Sequence, residues 1–196
     1  NGKTSTIHFI AQILSFINNT ACALIGTLGN GLYGQLQDSS HTTPDAITMQ
    51  SLMADFVKQQ VKTLVMEVSS HALSQGRVNG VEFDTAVFTN LSRDHLDYHG
   101  DMQTYGKEKL KLFQMASVKN CAVNLDDAFS QIIIDNIKKI NTKKTIVSYS
   151  KKDFKADYYA DNIMFNSSGV AFTLHLEGKN FCVNTQLIGD FNIDNL

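Results

Sequence analysis

Up to about residue 155, short apolar runs alternate with longer segments in which apolar residues recur at a helical period of about 3.6. The apolar runs predict strands at residues 21–26, 63–68, 84–89, 119–123 and 145–148. The periodic segments predict helices at residues 6–14, 45–60, 101–115 and 128–139. Alternation of this kind favours an α/β fold with a mainly parallel sheet flanked by helices. In the segment 45–60 the helical spacing is that of Ile47, Leu52, Phe56 and Val57, which predicts an apolar face at these positions.

The remaining segments have the composition of turns and hairpins. Residues 27–34 are punctuated by glycines and predict a turn or hairpin. From about residue 156, alternating residues predict three strands at 158–165, 170–176 and 181–187. The breaks between them, at residues 166–169 and 177–180, have hairpin-turn composition. This end of the chain is therefore predicted to be an antiparallel β meander attached to the α/β body.

Composition narrows the class of protein. With 196 residues, of which 43% are hydrophobic, the chain can form one well-buried domain. A formal net charge of −2 provides no basic field for nucleic acid, and no apolar run approaches the ~18 residues of a membrane span. Cys22, Cys121 and Cys182 are odd in number and widely spaced, so we expect buried reduced thiols rather than disulfides or a metal site. These features predict a cytoplasmic protein.

The first five residues, Asn1-Gly2-Lys3-Thr4-Ser5, have the composition of the second half of a phosphate-binding loop. In such loops backbone N–H groups surround phosphate oxygens, the lysine reaches the outer phosphates, and the hydroxyl binds Mg²⁺. The alternative is an ordinary helix N-terminus, but the position at the start of an α/β pattern favours nucleotide binding. Because a protein seldom begins inside its own nucleotide loop, we expect a piece of a larger enzyme, truncated at both ends.

Two polar clusters follow predicted strands. Glu67 lies near the carboxyl end of an apolar strand, where ligands of open α/β sheets collect and where P-loop enzymes place an acid that helps to hold Mg²⁺. A helix cap or an edge salt bridge is the alternative role for this acid. Residues 90–100 contain two histidines, two aspartates and an arginine. Taken alone, this composition is better explained by a solvated loop whose Asp101 caps the next helix. A position beside the phosphate loop, on the same rim as Glu67 if the two strands are parallel neighbours, favours a functional cluster instead.

Lys109 has an unusual position on the predicted helix 101–115. At about 100° per residue, Lys109 falls inside the apolar stripe that contains Tyr105 and Phe113. Lys107 and Lys111 fall on the opposite face, where charged residues are normally found. A lysine directed inward is costly unless it is paired, neutralised or chemically altered. The alternative is that its stem packs while its amine reaches water.

Together these segments resemble the central, ATP-binding domain of the Mur ligases, and within that family the UDP-N-acetylmuramoyl-tripeptide synthetase type. The matching stretches are residues 1–4, 26–31, 42–44, 66–71, 87–100 and 189–192, together with Asn195. The most specific are Glu-Val-Ser-Ser-His at 67–71 and Asn-Leu-Ser-Arg-Asp-His-Leu-Asp-Tyr-His-Gly at 90–100. They occur in the family's order over nearly the whole chain.

The resemblance implies an ATP-dependent amide ligase of peptidoglycan synthesis. ATP would phosphorylate the γ-carboxylate of D-glutamate in UDP-MurNAc-L-Ala-D-Glu, and the amine of a diamino acid would then displace phosphate. On overall likeness alone we expect meso-diaminopimelate rather than L-lysine as that diamino acid. The family's UDP-binding and acceptor-recognising domains have no counterpart in these residues, so we expect the fragment to be inactive alone. A monomer without nucleic-acid or membrane partners is expected.

On the matching positions, the resemblance also implies the site residues. ATP would contact Asn1, Gly2, Lys3, Thr4, Ser5, Asn192 and Asn195. The UDP-linked dipeptide would contact Thr42, Thr43, Ser69, Gln75 and Arg77. Mg²⁺ would be held by Thr4, Glu67, His95 and Lys109, the last as a carbamate (N6-carboxylysine). The catalytic residues would be Lys3, Glu67, His95 and Lys109.

By themselves, the polar residues assigned to the dipeptide are ordinary turn and cap residues, and the two C-terminal asparagines could cap a helix. The carbamate would explain the inward lysine, because it converts a cation into the oxygen-donor anion that Mg²⁺ prefers. His41 stands where some relatives have asparagine, and we assign it no role.

Two other functions remain open from the residues. The first is another ligase of the same superfamily, either a sister Mur ligase or one similar to folylpolyglutamate synthetase. The second is a P-loop nucleotide switch without ligase chemistry, which predicts nucleotide-dependent partner binding and an unmodified Lys109.

Overall fold

The computed structural model describes residues 1–94, 96–140 and 143–196. These residues divide into two compact units. One, which we call the four-stranded unit, comprises Lys3–Val81 and Asp97–Lys109. The other, the six-stranded unit, comprises Asn1–Gly2, Glu82–Leu96 and Leu110–Leu196.

The four-stranded unit contains a mixed sheet with helices. Its elements in chain order are α1 (Lys3–Asn18), β1 (Cys22–Gly26), β2 (Gly29–Leu32), β3 (Gln35–Gln37), α2 (Ala46–Lys58), β4 (Thr63–Met66) and α3 (Ser70–Ser74). The strand order is β3-β2-β1-β4, with β1 parallel to β4 and antiparallel to β2. All five residues of β1 are buried, and Ile7 and Ala11 of α1 pack against Cys22 and Leu24. Burial on both faces explains why β1 is uniformly apolar.

Two helices lie in and after the polar segment 90–100. They are α4 (Leu96–His99) and α5 (Met102–Gln114), and α5 contributes residues to both units. Asp101 precedes α5, and its carboxylate accepts a hydrogen bond from the backbone N–H of Thr104 at 2.7 Å. The helix therefore begins with a side-chain cap on its unpaired backbone donors.

The six-stranded unit contains a sheet in which each strand lies beside the strand that precedes it in the chain. Its strands are β5 (Thr85–Phe88), β6 (Asn120–Asn124), β7 (Thr145–Ser150), β8 (Tyr158–Asn166), β9 (Gly169–Leu176) and β10 (Lys179–Thr185). Strands β5 to β8 are parallel neighbours, whereas β8, β9 and β10 are antiparallel. The helices α6 (Ser130–Lys139) and α7 (Phe191–Asn195) complete the unit. Its main core contains Phe88, Phe113, Val123, Ile133 and Ile137.

This architecture confirms the α/β class, the predicted strands and helices, the hairpin after β1 and the C-terminal meander. The meander is continuous with the parallel strands, since β8 pairs with β7. Among the described residues, no helix is both long and apolar enough to cross a bilayer.

Two expectations from the sequence are wrong in detail. In α2, Ile47 and Val57 are exposed, whereas Met49 and Phe56 are buried. Met49 and Phe56 are seven residues apart, which returns them to the same helix face, and the β-branched pair lies off that face. Cys22 and Cys121 are buried, but Cys182 is exposed. Cys182 lies on β10, an edge strand of the sheet, where one flank has no neighbouring strand.

Candidate functional site

Glu67 follows β4 directly and is only 2% exposed. Its backbone N–H donates to Ile25 O at 2.9 Å, so the parallel ladder continues one residue beyond β4. The carboxylate accepts three hydrogen bonds: from Thr27 N at 2.8 Å, from Thr4 Oγ1 at 3.1 Å and from Thr27 Oγ1 at 3.4 Å. These donors explain how a carboxylate is tolerated in a buried position.

Gly26 makes room for this carboxylate. A Cβ at position 26 would lie 2.6 Å from Glu67 Oε1 and 2.8 Å from Ile7 Cδ1. Both distances are shorter than van der Waals contact allows, so a larger residue would displace either the carboxylate or α1. The glycine at the end of β1 is therefore required by the close approach of Glu67.

The oxygens of Thr4 and Glu67 fit a divalent cation of the Mg²⁺ type. Thr4 Oγ1 and Glu67 Oε2 are 3.1 Å apart. Oxygens at adjacent corners of an octahedron with Mg–O distances of 2.0–2.1 Å are about 2.9 Å apart. No group of three or more His, Cys, Asp and Glu side chains gathers within the described residues to hold a metal alone. The pair would therefore form part of a coordination shell completed by phosphate oxygens and water, as is usual for Mg²⁺.

A second cluster of polar residues, around Thr43, is hydrogen-bonded to the backbone of Glu67. Thr43 is 1% exposed, and its hydroxyl donates to Glu67 O at 2.9 Å while it accepts from Ser69 N at 3.1 Å. Ser69 caps α3, with its Oγ accepting from Ala72 N at 3.2 Å. The adjacent Thr42 hydroxyl lies 3.0 Å from Thr27 Oγ1. Thr43 therefore contacts Glu67 directly, and Thr42 contacts it through Thr27.

Arg77 extends this cluster towards α4. Its Nη1 donates to Thr43 O at 2.8 Å, and its Nε donates to Gln75 Oε1 at 2.8 Å. Gln75 Nε2 in turn donates to Tyr98 Oη at 3.2 Å. The five residues predicted to bind the dipeptide thus form a connected hydrogen-bond network with Glu67. This network orients the guanidinium of Arg77, the amide of Gln75 and the hydroxyl of Thr42 in the same unit as the buried Glu67. Such a set of donors can bind an anionic, polar ligand.

Lys109 lies on the predicted face of α5. It is partly buried, whereas Lys107 and Lys111 are exposed. Its Nζ lies 4.8 Å from the centroid of the Tyr105 ring, within the range of a cation–π contact. His99 also stacks on Tyr105, with ring centroids 5.1 Å apart, and its Nε2 lies 2.9 Å from Ser70 Oγ. The periodicity therefore identified the partly buried lysine correctly.

Two other predicted site residues and His41, which has no assigned role, have simpler surroundings in this unit. Lys3 and Ser5 lie partly buried in the first turn of α1. His41 is exposed, and its Nδ1 lies 2.9 Å from Ser40 Oγ. His95 lies outside the described residues, so its predicted role stays a prediction.

In the six-stranded unit, Asn1 lies against the residues directly after β5, and Gly2 lies against Asn195, which is predicted to contact ATP. Asn1 O accepts from Thr89 Oγ1 at 3.0 Å and from Asn90 Nδ2 at 2.9 Å. Gly2 has a φ of +80°, and a Cβ there would lie 2.1 Å from Asn195 Oδ1. The structure thus brings Asn195 against the glycine of the predicted phosphate loop. Asn192 is half-buried, and its amide donates to Ile188 O at 2.9 Å.

The short helix α7 carries both asparagines and is held by Lys151. Lys151 Nζ bonds to Asp194 Oδ2 at 2.8 Å, to Asp190 O at 3.0 Å and also to the Asp190 carboxylate. Burial lowers the pKa of Lys151, but the bonds to Asp190 and Asp194 outweigh burial and raise that pKa above its ordinary value. Burial raises the pKa of Asp194, whose Oδ1 has no hydrogen-bond partner among the described residues.

We expect Lys151→Met to loosen α7. Methionine keeps the apolar stem but removes the ammonium, so two carboxylates lose their common partner and the free energy of unfolding falls by about 1–3 kcal/mol. Hydrogen exchange at the backbone amides of Asn192 and Ile193 should accelerate more than exchange in β6. Lys152→Met, at an exposed neighbour, is the control. Equal exchange in both variants would show that Lys151 does not anchor the helix.

Two residues of the network were not assigned a role from the sequence. Thr27 lies in a stretch that carries the family resemblance, yet it contacts Glu67, 40 positions away, and Thr42, 15 positions away. Tyr98 lies in the polar loop 90–100 and reaches Gln75, 23 positions away. The density of polar residues around Tyr98 is the signal that could have identified it, whereas Thr27 had no such signal.

Comparison with known proteins agrees with this geometry. The family model described as Mur ligase middle domain matches residues 1–196. A protein of Chromobacterium violaceum named UDP-N-acetylmuramoyl-L-alanyl-D-glutamate–2,6-diaminopimelate ligase is 44% identical over 196 residues, which is 100% of this chain and 39% of that protein. The chain thus spans about two fifths of the length of that relative.

Solved structures give the same result. A structure of UDP-N-acetylmuramoyl-L-alanyl-D-glutamate–2,6-diaminopimelate ligase superposes with a TM-score of 0.92 at 39% identity, covering 100% of this chain and 39% of that one. MurF from Acinetobacter baumannii superposes with a TM-score of 0.72 at 20% identity, covering 100% of this chain and 38% of that one. At that identity the second likeness concerns the fold alone.

Proposed function

The chain belongs to the Mur ligase family, whose middle-domain model it matches over residues 1–196, and on that premise we propose that it is the ATP-binding part of an ATP-dependent amide ligase. The proposed reaction adds a diamino acid to UDP-MurNAc-L-Ala-D-Glu in peptidoglycan synthesis. Support for meso-diaminopimelate as that diamino acid comes from the relative at 44% identity, whose name specifies 2,6-diaminopimelate. Because the chain spans 39% of that relative, recognition of the diamino acid is assigned to the rest of a longer protein.

In the proposed reaction, residues 1–5 bind the phosphates of ATP. Lys3 provides the cation for the outer phosphates, and the backbone N–H groups beside it provide further donors. Asn192 and Asn195 bind the adenine end, for which the support is the contact of Asn195 with Gly2. The γ-carboxylate of D-glutamate attacks the γ-phosphorus, ADP leaves, and the incoming amine then displaces phosphate from the acyl phosphate through a tetrahedral intermediate.

The proposed cation is Mg²⁺, held by Thr4 and Glu67. When bound, it would offset repulsion between the phosphate oxygens and the attacking carboxylate. Glu67 keeps its carboxylate fixed through the N–H of Thr27, so its orientation does not depend on the ligand. The oxygen–oxygen distance between Thr4 and Glu67 supports this assignment.

Lys109 is proposed to react with CO₂ and to act as a carbamate ligand together with His95. The support is that Lys109 is the partly buried lysine of its helix, beside a ring whose neighbour His99 is buried. Thr42, Thr43, Ser69, Gln75 and Arg77 are proposed to bind the UDP-linked dipeptide. Support for this assignment is the hydrogen-bond network that joins these residues to the backbone of Glu67 within the four-stranded unit.

We further propose a cytoplasmic monomer without nucleic-acid or membrane partners. The UDP-linked substrate and ATP are both soluble nucleotides. The two buried reduced thiols, Cys22 and Cys121, agree with a reducing compartment.

The observation that carries the proposed function is the continuous chain of contacts from Thr4 through Glu67 and Thr27 to Thr42. The test is ADP release by the full-length protein with ATP, Mg²⁺ and one of several acceptor pairs. We expect turnover with UDP-MurNAc-L-Ala-D-Glu and meso-diaminopimelate. With L-lysine we expect at least about tenfold less, because lysine lacks the second carboxylate of diaminopimelate and the groups that bind that carboxylate would be left unpaired. Turnover with a folate and glutamate, or with no acceptor at all, would favour the alternative ligase or the nucleotide switch.

A further inference from the structure

Thr27 lies between the two parts of the candidate site. It belongs to the turn between β1 and β2, and its backbone N–H and hydroxyl both contact the carboxylate of Glu67. The same hydroxyl lies 3.0 Å from Thr42 Oγ1. Thr27 thus contacts the proposed cation ligand on one side and a proposed substrate-binding residue on the other.

A threonine hydroxyl has one proton to donate and can accept two hydrogen bonds. The contacts of Thr27 therefore allow two arrangements. In the first, Thr42 donates to Thr27, which donates to Glu67 Oε2. In the second, Thr27 donates to Thr42, and the proton of Thr42 is left to donate to a ligand.

A cation at Glu67 would favour the second arrangement. Oε2 already accepts from Thr4 and Thr27, and a cation bound to that oxygen competes for the same lone pairs. At 3.4 Å, the bond from the Thr27 hydroxyl is the longest of the three on the carboxylate, so it is the least costly to give up. The N–H of Thr27 still holds Oε1 at 2.8 Å, so the carboxylate keeps its place.

We propose that Thr27 is a positioning residue that couples cation binding at Glu67 to binding of an anionic, UDP-linked ligand at Thr42. This inference rests on the proposed function. With the cation bound, Thr42 is a donor to the ligand; without it, Thr42 donates to Thr27. A single hydroxyl thus makes cation and substrate binding mutually favourable, since coupling between two sites is reciprocal.

The test is calorimetric titration of UDP-MurNAc-L-Ala-D-Glu into the full-length protein holding a non-hydrolysable ATP analogue, with Mg²⁺ or with a chelator. In the unmodified protein we expect Mg²⁺ to lower the Kd of the dipeptide by about five- to tenfold, a typical coupling between two sites. Thr27→Val keeps the shape and the backbone donor but removes the hydroxyl, so this ratio should fall to about one. Thr27→Ser should restore it.

Thr48→Val is the matched control, because it removes a threonine hydroxyl of the same unit that bonds to Asp45 instead. It should keep the full ratio. A Thr27→Val protein with undiminished coupling would overturn the inference, as would an unmodified protein that binds both ligands without any effect of Mg²⁺. Failure of the unmodified protein to bind either ligand would instead refute the proposed function. Thr27 is exposed, so its substitution should leave the circular dichroism spectrum unchanged.

Discussion

Glu67→Gln is expected to lower kcat/KM of the full-length protein in the proposed ligase reaction by about 10³-fold, with the loss mainly in kcat. A metal ion contributes several kcal/mol of transition-state stabilisation, and each factor of ten corresponds to about 1.4 kcal/mol. Glutamine can still accept from Thr27 N, and its amide group can donate to the hydroxyls of Thr4 and Thr27. The side chain therefore keeps its place while losing the charge that a divalent cation needs.

The measurement is the Mg²⁺ dependence of turnover, followed by the Kd of the UDP-linked dipeptide in the presence of a chelator. We expect the Mg²⁺ concentration for half-maximal rate to rise at least about tenfold, with little change in that Kd. Glu82→Gln, at an exposed acid of the same chain, is the control and should match the unmodified protein. An unchanged Mg²⁺ response of Glu67→Gln would remove this residue from the metal site.

The free energy of unfolding should distinguish Glu67→Gln from Glu67→Ala. Glu67→Ala would leave the N–H of Thr27 and the hydroxyl of Thr4 without their acceptor beside a buried position, at a cost of about 1–3 kcal/mol. Glu67→Gln should change the free energy of unfolding by less than about 1 kcal/mol, because its amide oxygen still accepts from Thr27 N and its amide NH2 donates to the hydroxyls of Thr4 and Thr27. A large activity loss without a stability loss therefore identifies a chemical role.

Patterns within a single element were readable from the sequence. The end of an apolar strand located Glu67, because ligands of α/β sheets collect at carboxyl ends. The helical period separated Lys109 from Lys107 and Lys111, because each turn of a helix returns side chains to the same face. The same reasoning failed for Ile47 of α2, which is 84% exposed. Two faces of that helix carry apolar residues, and the period alone does not say which of them is buried.

Contacts between distant segments were not readable in the same way. Thr43 reaches the backbone of Glu67, 24 residues away, and Arg77 reaches Thr43 across 34 residues. Such hydrogen bonds depend on how strands and turns pack in three dimensions. The helix α3 has only five residues, too few to show a helical period, so the sequence did not predict it; in the structure Ser69 caps it. The resemblance to a known family supplied the residue set, and the structure supplied its connections.

Lys109→Ala is expected to lower kcat/KM by at least about 10³-fold, whereas Lys107→Ala and Lys111→Ala should each stay within about twofold. The three lysines belong to the same helix and differ in exposure: Lys109 is partly buried over the Tyr105 ring, and the other two are exposed. Exposed charges on a helix contribute little to function or stability when removed. Steady-state rates of the three variants, measured side by side at saturating ATP and Mg²⁺, provide the comparison.

Lys109→Arg distinguishes the two chemical roles open to this side chain. Arginine keeps a cation over Tyr105 but cannot form the carbamate, because its guanidinium stays protonated. If the lysine acts as a carbamate ligand, Lys109→Arg should be as inactive as Lys109→Ala. The unmodified protein should then show a carbamate ¹³C resonance after incubation with ¹³C-bicarbonate, and both variants should lack it. Substantial activity in Lys109→Arg would assign an ammonium role instead, and equal mild losses in all three alanine variants would end the argument from the partly buried lysine.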